Sequence, residues 1–361
     1  MQQMKQVEMF PGTKPKVPLN ILKSTIQKAY RRGHGTLFNW AFKELWRMDM
    51  ESRKWLIWRT PIFPAEECWQ NLLDTGRVIR RVEVITTSKN PNAWKAAEEQ
   101  LHQHLISQIS LVKNKDADGI RIVAELAAGL KPAEREPLLA AVASRVPETS
   151  LPALYKMIEI EEFIKAKRFV KREEWGPIWE MVDEVKDDSD EYQDLRDLVG
   201  AAYFRGKKGG MAGDQSMLIA LSYLAIDDYK NKTYGGLKSQ PQSTQVLVTD
   251  DFDGTQPIPP WYCYDMHTGL GRRALGYFFK VYGLDSHVTK KQQLAWLWFM
   301  QESALVNEMD PNSIWWPLAS KVALLSYGMT VKEGEDFWAD WRPRLQAKIE
   351  EWSMEEHKIG C

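Results

Sequence analysis

The chain has 361 residues, of which 44% are hydrophobic, 11% aromatic and 27% charged, and its formal net charge is −1. That is enough for one large or two ordinary domains with a sizeable core, and the near-neutral balance excludes a histone-like or polybasic protein while leaving room for local basic patches. Three widely separated cysteines, Cys68, Cys263 and Cys361, argue against a disulfide framework or a cysteine zinc site and point to a reducing, cytoplasmic setting.

In chain order, residues 1–18 are polar, carry Pro11, Pro15 and Pro18, and predict a flexible N-terminal arm. They lack the apolar stretch of a signal peptide, and no apolar run in the chain approaches the roughly 20 residues of a membrane helix. Leu22, Ile26, Ala29 and Tyr30, then Phe38, Ala41, Phe42 and Leu45, recur at three- and four-residue intervals. They predict two helices joined through Gly33-His34-Gly35. Lys28, Arg31 and Arg32 fall in the last turn of the first, where the helix dipole favours cations. A third helix is predicted from Met50 to Thr60, stopping before Pro61. Residues 66–85 are mixed, with a helical start around Trp69, Leu72 and Leu73. Asn90-Pro91-Asn92 opens a long helix whose buried stripe is Trp94, Ala97, Leu101, Leu105 and Ile109.

Shorter helices follow, punctuated by Pro or Gly, at about 120–130, 133–146 and 152–169. Residues 173–197 are acidic and predict a solvated helix plus a loop. GAAYFRGKKGGMAG, residues 200–213, predicts a Gly-rich basic loop, with Asp214 capping the next helix. Residues 230–260 are the longest segment without helical periodicity, and Val246-Leu247-Val248 is a marginal strand. Loops of that length are more often functional or disordered than neutral packing. Three last helices are predicted over about 289–307, 311–327 and 333–355. The expectation is an all-α protein with at most marginal β, built as a collar-like or helical-array architecture. One helical domain would span 19–150 and a second 151–361, the latter holding the 230–260 loop and the motif described next.

Trp261 to Leu284, WYCYDMHTGLGRRALGYFFKVYGL, concentrates more chemically useful groups than any other stretch. Asp265 two residues before His267 can fix an imidazole tautomer if the backbone turns them together, giving a hydrolase or nuclease reading. Gly269-Leu270-Gly271 before Arg272-Arg273 at a helix start offers main-chain N–H groups and guanidiniums to a phosphate. The plain alternative is that Asp265 and Thr268 only cap the helix. Gly206-Lys207-Lys208-Gly209-Gly210 fails as a P-loop, having neither the spacing nor the preceding strand, and fits a basic loop touching a phosphate backbone. His102 and His104 lie two apart on a helix and make a poor metal pair. Glu66-Glu67 and Glu161-Glu162 read as helix surface, and Trp315-Trp316 as core.

IQKAYRRGHGTLFNWAFKELWRMD, then WLIWR and PAEECW, resembles the C-terminal part of the RarA/MgsA/WRNIP1 family of clamp-loader-like AAA+ proteins. The likeness rests on Arg31, Arg32, Gly33, Trp40, Leu45, Trp58 and Arg59, with Glu66-Glu67 standing at the family's acidic pair. Asp265 to Arg272 looks like a motif of proteins carrying that domain. The first likeness covers about 50 residues and the second about 10. It implies an all-helical collar-type domain, homo-oligomerisation, and work at replication forks or recombination intermediates. The chain departs from the family in having no Walker A or Walker B motif, so the family's ATPase activity does not carry over. The expectation is a cytoplasmic accessory protein of DNA replication or recombination, encoded by a phage or another mobile element. It would bind single-stranded or forked DNA, or replication proteins, without a cofactor or metal. Its phosphate contacts would come from Arg31, Arg32, His34, Lys207, Lys208, His267, Thr268, Arg272 and Arg273. A hydrolase using Asp265 and His267, and a structural oligomeric scaffold, are the alternatives.

Overall fold

A computed structural model describes residues 17–87, 90–109, 115–166, 175–207, 212–231, 252, 258–283, 286, 289, 313–326 and 331–360. No strand occurs among them, so the all-α expectation holds. The predicted strand at 246–248, the helix at 289–307 and most of the 230–260 loop lie outside the described residues.

Helix α1 (Leu19–Arg32) and helix α2 (Gly35–Met48) form the predicted hairpin. Gly33 ends α1 at φ 68°, a left-handed conformation glycine adopts without strain, and its N–H returns to the Ala29 and Tyr30 carbonyls. Leu22, Ile26, Leu37, Phe38 and Leu45 are fully buried between them; each such side chain stabilises the fold by about 1.5–3 kcal/mol. Asp49 then accepts the Ser52 N–H at 2.6 Å and starts α3 (Met50–Arg59). Next come α4 (Ile62–Glu67), α5 (Leu72–Thr86), α6 (Pro91–Ile109), α7 (Asp116–Ala128), α8 (Pro132–Ala143) and α9 (Leu151–Ala166). The chain continues through α10 (Trp175–Glu184), α11 (Asp190–Lys207), α12 (Ala212–Asn231), α13 (Gly269–Val281), α14 (Trp315–Ser326) and α15 (Val331–Gly360).

Two hydrophobic cores result. One gathers α1, α2, α3, α6, α13 and α15 with the far end of α5, and includes Phe252 and Tyr262. The other gathers α4, α7, α9, α10, α11, α12 and α14 with the start of α5. Neither core respects a boundary at residue 150. Leu22 shares a core with Leu345, and Ile120 shares one with Trp315 and Trp316, so each core draws on residues from both expected domains, 19–150 and 151–361. Val17, assigned to the arm, is buried.

Two local expectations also change. Residues 200–207 are the end of α11 rather than a loop, carried by the Leu195, Leu198 and Val199 stripe buried earlier in that helix. Asp214 lies inside α12, which starts at Ala212. Helix α14 is capped from a distance: Asp116, at the start of α7, accepts from Ser313 Oγ at 2.6 Å and from the main-chain N–H groups of Ile314, Trp315 and Trp316 at 3.0–3.2 Å. One buried carboxylate thereby satisfies the donors that a helix start leaves open.

Candidate nucleic-acid interface

The Asp265–Arg273 motif is a capped turn. Thr268 Oγ1 donates to the Asp265 carbonyl at 2.8 Å and accepts the Gly271 N–H at 3.0 Å, the N-cap geometry of α13. Asp265 Oδ1 accepts the main-chain N–H of His267 at 2.9 Å, and Oδ2 faces Lys28 Nζ at 3.4 Å. Asp265, Thr268 and Lys28 are buried, while His267 is exposed. The carboxylate is thus committed to a backbone amide and a lysine rather than to an imidazole. This arrangement does not make the Asp265–His267 side-chain pairing on which the hydrolase reading drew. It also removes Thr268 as a phosphate contact, because its hydroxyl is sealed inside the cap. Gly271 is dictated by packing: a Cβ there would stand 1.9 Å from the Asp265 carbonyl oxygen.

Arg31, Arg32 and His34 of the first hairpin are also buried. Arg31 Nε reaches Glu67 Oε1 at 2.6 Å, and Arg59 Nη2 reaches Glu66 Oε1 at 2.8 Å. Lys115 joins them, with Nζ 3.9 Å from Glu66 and 3.5 Å from Asp118, and its main-chain N–H on Glu67 Oε2 at 3.2 Å. Arg121 extends the chain of charges from Asp118 at 3.0 Å to Glu125 at 2.9 Å. This network ties α1, α3, α4 and α7 together. Burial raises the Glu67 carboxyl above its usual range, against the pull of Arg31 and Lys115. Glu66 and Glu67, expected on a helix surface, are its centre.

Arg32 is buried with its guanidinium 3.8 Å from the Tyr262 ring centre. His34 is buried as the cap of α2, its Nδ1 accepting the Leu37 N–H at 3.3 Å. Arg31, Arg32 and His34 are therefore corrected from phosphate contacts to internal ties. Lys208 and the side chain of Lys207 lie outside the described residues. His102 and His104 serve structure as well. His102 Nε2 meets Asn39 Oδ1 at 2.6 Å, and His104 Nε2 meets Thr75 Oγ1 and Gln108 Nε2, each at 3.0 Å.

Of the expected contacts, His267, Arg272 and Arg273 remain on the surface. Arg273 stands 4.3 Å from the ring centre of Trp352 on α15. Trp352 meets Tyr277 edge to face at 6.0 Å, and Lys348 Nζ lies 5.5 Å from Trp352 and 5.8 Å from Tyr277. Cations and aromatics thus alternate over one surface between α13 and α15. Tyr277, Lys348 and Trp352 were missed from sequence, although Arg273–Tyr277 and Lys348–Trp352 each carry the four-residue spacing that stacks side chains on one helix face. Among the described residues, no group of three or more His, Cys, Asp or Glu side chains is placed to hold a metal ion, and no helix is long and apolar enough to cross a membrane. No family model, curated protein or solved structure matches the chain.

Proposed function

We propose that the chain is an accessory protein of DNA replication or recombination that binds nucleic acid through α13 and α15, without hydrolysing nucleotide. The observation that carries this reading is the Arg273–Trp352–Tyr277–Lys348 surface. Single-stranded nucleic acids are gripped by cations that track the phosphates and aromatics on which bases stack, each stack contributing about 1–3 kcal/mol. Helix α13 supports it with Arg272, Arg273 and Lys280 and no carboxylate along its length. The resemblance of the first hairpin to a replication-associated family points the same way. Its buried arginines act there as scaffold, holding the core on which α13 is mounted.

The test is fluorescence anisotropy of labelled single-stranded, duplex and forked DNA across a salt series. Binding should weaken steeply with salt, because each neutralised phosphate releases counterions. Charge reversal at Arg272 and Arg273 should weaken it further with the helical circular-dichroism signal unchanged. Salt-independent binding, or none at low salt, removes the reading.

A further inference from the structure

Beside the aromatic–cation surface, α13 and α15 leave an open groove of about 220 Å³. Its floor is apolar: Ala274, Phe278, Trp341 and Leu345 are all buried, and the Phe278 and Trp341 rings meet edge to face at 4.5 Å. One wall is Tyr277 and Val281, which remain 46% and 49% exposed. The other is formed by Arg344 and Lys348. Glu351 also lines the groove, with its carboxylate paired to Lys348, and nearby Asp340 is paired to Arg344 and Tyr282.

We propose that this groove seats one unpaired base of a single-stranded nucleic acid, while Arg272, Arg273 and Lys280 hold the flanking phosphates. The inference rests on the nucleic-acid reading above and sharpens it. Size argues for a single ring system, since pockets for larger ligands run to roughly 300–1,000 Å³. An aromatic wall over an apolar floor gives a π-face its partner, and the charge of α13 is complementary to a phosphate backbone. A base in a duplex is already stacked and paired, so it cannot enter without extrusion. The preferred substrate is therefore an unpaired strand.

The experiment measures anisotropy of the full chain with a labelled deoxythymidine homopolymer, a duplex of equal length, and an abasic strand of equal length and charge. The homopolymer should bind about 5- to 150-fold tighter than the abasic strand, the range expected for losing one base stack. Tyr277→Ala should erase that gap, Tyr277→Phe should keep it, and Val281→Asp should also erase it, with thermal melting confirming that each variant folds. Paired Arg272→Glu and Arg273→Glu changes should weaken both strands alike. Equal binding of the homopolymer and the abasic strand, or preference for the duplex, overturns the base-seating inference and leaves the nucleic-acid reading standing. No binding of any probe at low salt overturns both.

Discussion

Arg31 Nε and Glu67 Oε1 meet at 2.6 Å in a region almost sealed from solvent, with side-chain exposures of 3% and 4%. The pair lies at the centre of a charge network where α1, α3, α4 and α7 converge. Removing one partner leaves the other charged and buried, which costs far more than the pair itself contributes. Arg31→Ala should destabilise the protein by about 3–5 kcal/mol. The double change Arg31→Met with Glu67→Leu should recover much of that loss. Urea unfolding midpoints decide it, and a single-variant loss below about 1 kcal/mol would contradict the assignment of Arg31 as a structural tie.

Glycines two residues apart in the α13 turn should respond oppositely. A methyl at Gly271 runs into the Asp265 carbonyl, whereas nothing lies within 4 Å of one at Gly269. Gly271→Ala should therefore cost roughly 1–3 kcal/mol or more, as overpacking does. Gly269→Ala should be neutral or stabilising by up to about 1 kcal/mol, through the unfolded chain. Thermal melts of the two variants give the answer directly, and equal effects would refute the described turn.

Glu83 is buried beside Arg80, 2.5 Å from its Nη1, and burial pushes its carboxyl up to about 7 despite that pairing. Between pH 4.5 and about 7 the folded chain keeps a proton that the unfolded chain has lost. The stability from this group is full below that window and is lost as the pH rises through it. Glu83→Gln should thus stabilise the protein at pH 8 relative to pH 5, by about 1–3 kcal/mol. A pH-independent difference would place the carboxylate in an ordinary environment.

The opposite sign holds for His104. Burial lowers its pKa, and its Nε2 lies within hydrogen-bond reach of Thr75 Oγ1 and Gln108 Nε2, while Gln108 Oε1 accepts from Tyr30. Gln108 Nε2 can only donate, so Nε2 of His104 must accept, which leaves the ring neutral with its proton on Nδ1. Its contribution is complete above the ordinary histidine range near about 6.5 and is lost as the pH falls below it. Nitrogen chemical shifts of the imidazole should report the Nδ1–H form at pH 7. A doubly protonated ring there would break the network as described.

The fold was largely legible because its signal is local. Leu22, Ile26 and Ala29, or Trp94, Ala97 and Leu101, repeat at helical spacing and are buried where the repeat says. The cap of α13 was legible too, since Thr268 reaches only three residues along. What the pattern hid was partnership across the chain. A basic run such as Arg31-Arg32 looks alike whether it faces phosphate or a buried carboxylate, and nothing near it in sequence announces Glu67. The glycines and lysines after residue 200 broke the periodicity of α11, whose burial is set by residues one turn and more before them. The Arg273–Trp352 contact joins two helices whose approach depends on the core beneath them, which periodicity does not encode.

The carboxylate of Asp116 reaches donors 197–200 positions further along the chain. On a ribosome adding roughly 5–20 residues per second, about 10–40 s pass between the emergence of the two ends of that contact. Throughout this interval α7 carries a carboxylate and an apolar face, including Ile120, for which Trp315 and Trp316 have not yet been made. Closure over so long a separation makes the second core a late and slow event in biogenesis. The nascent protein therefore needs shelter until residues 313–316 appear, and a chain cut short before residue 313 never acquires the lid of that core.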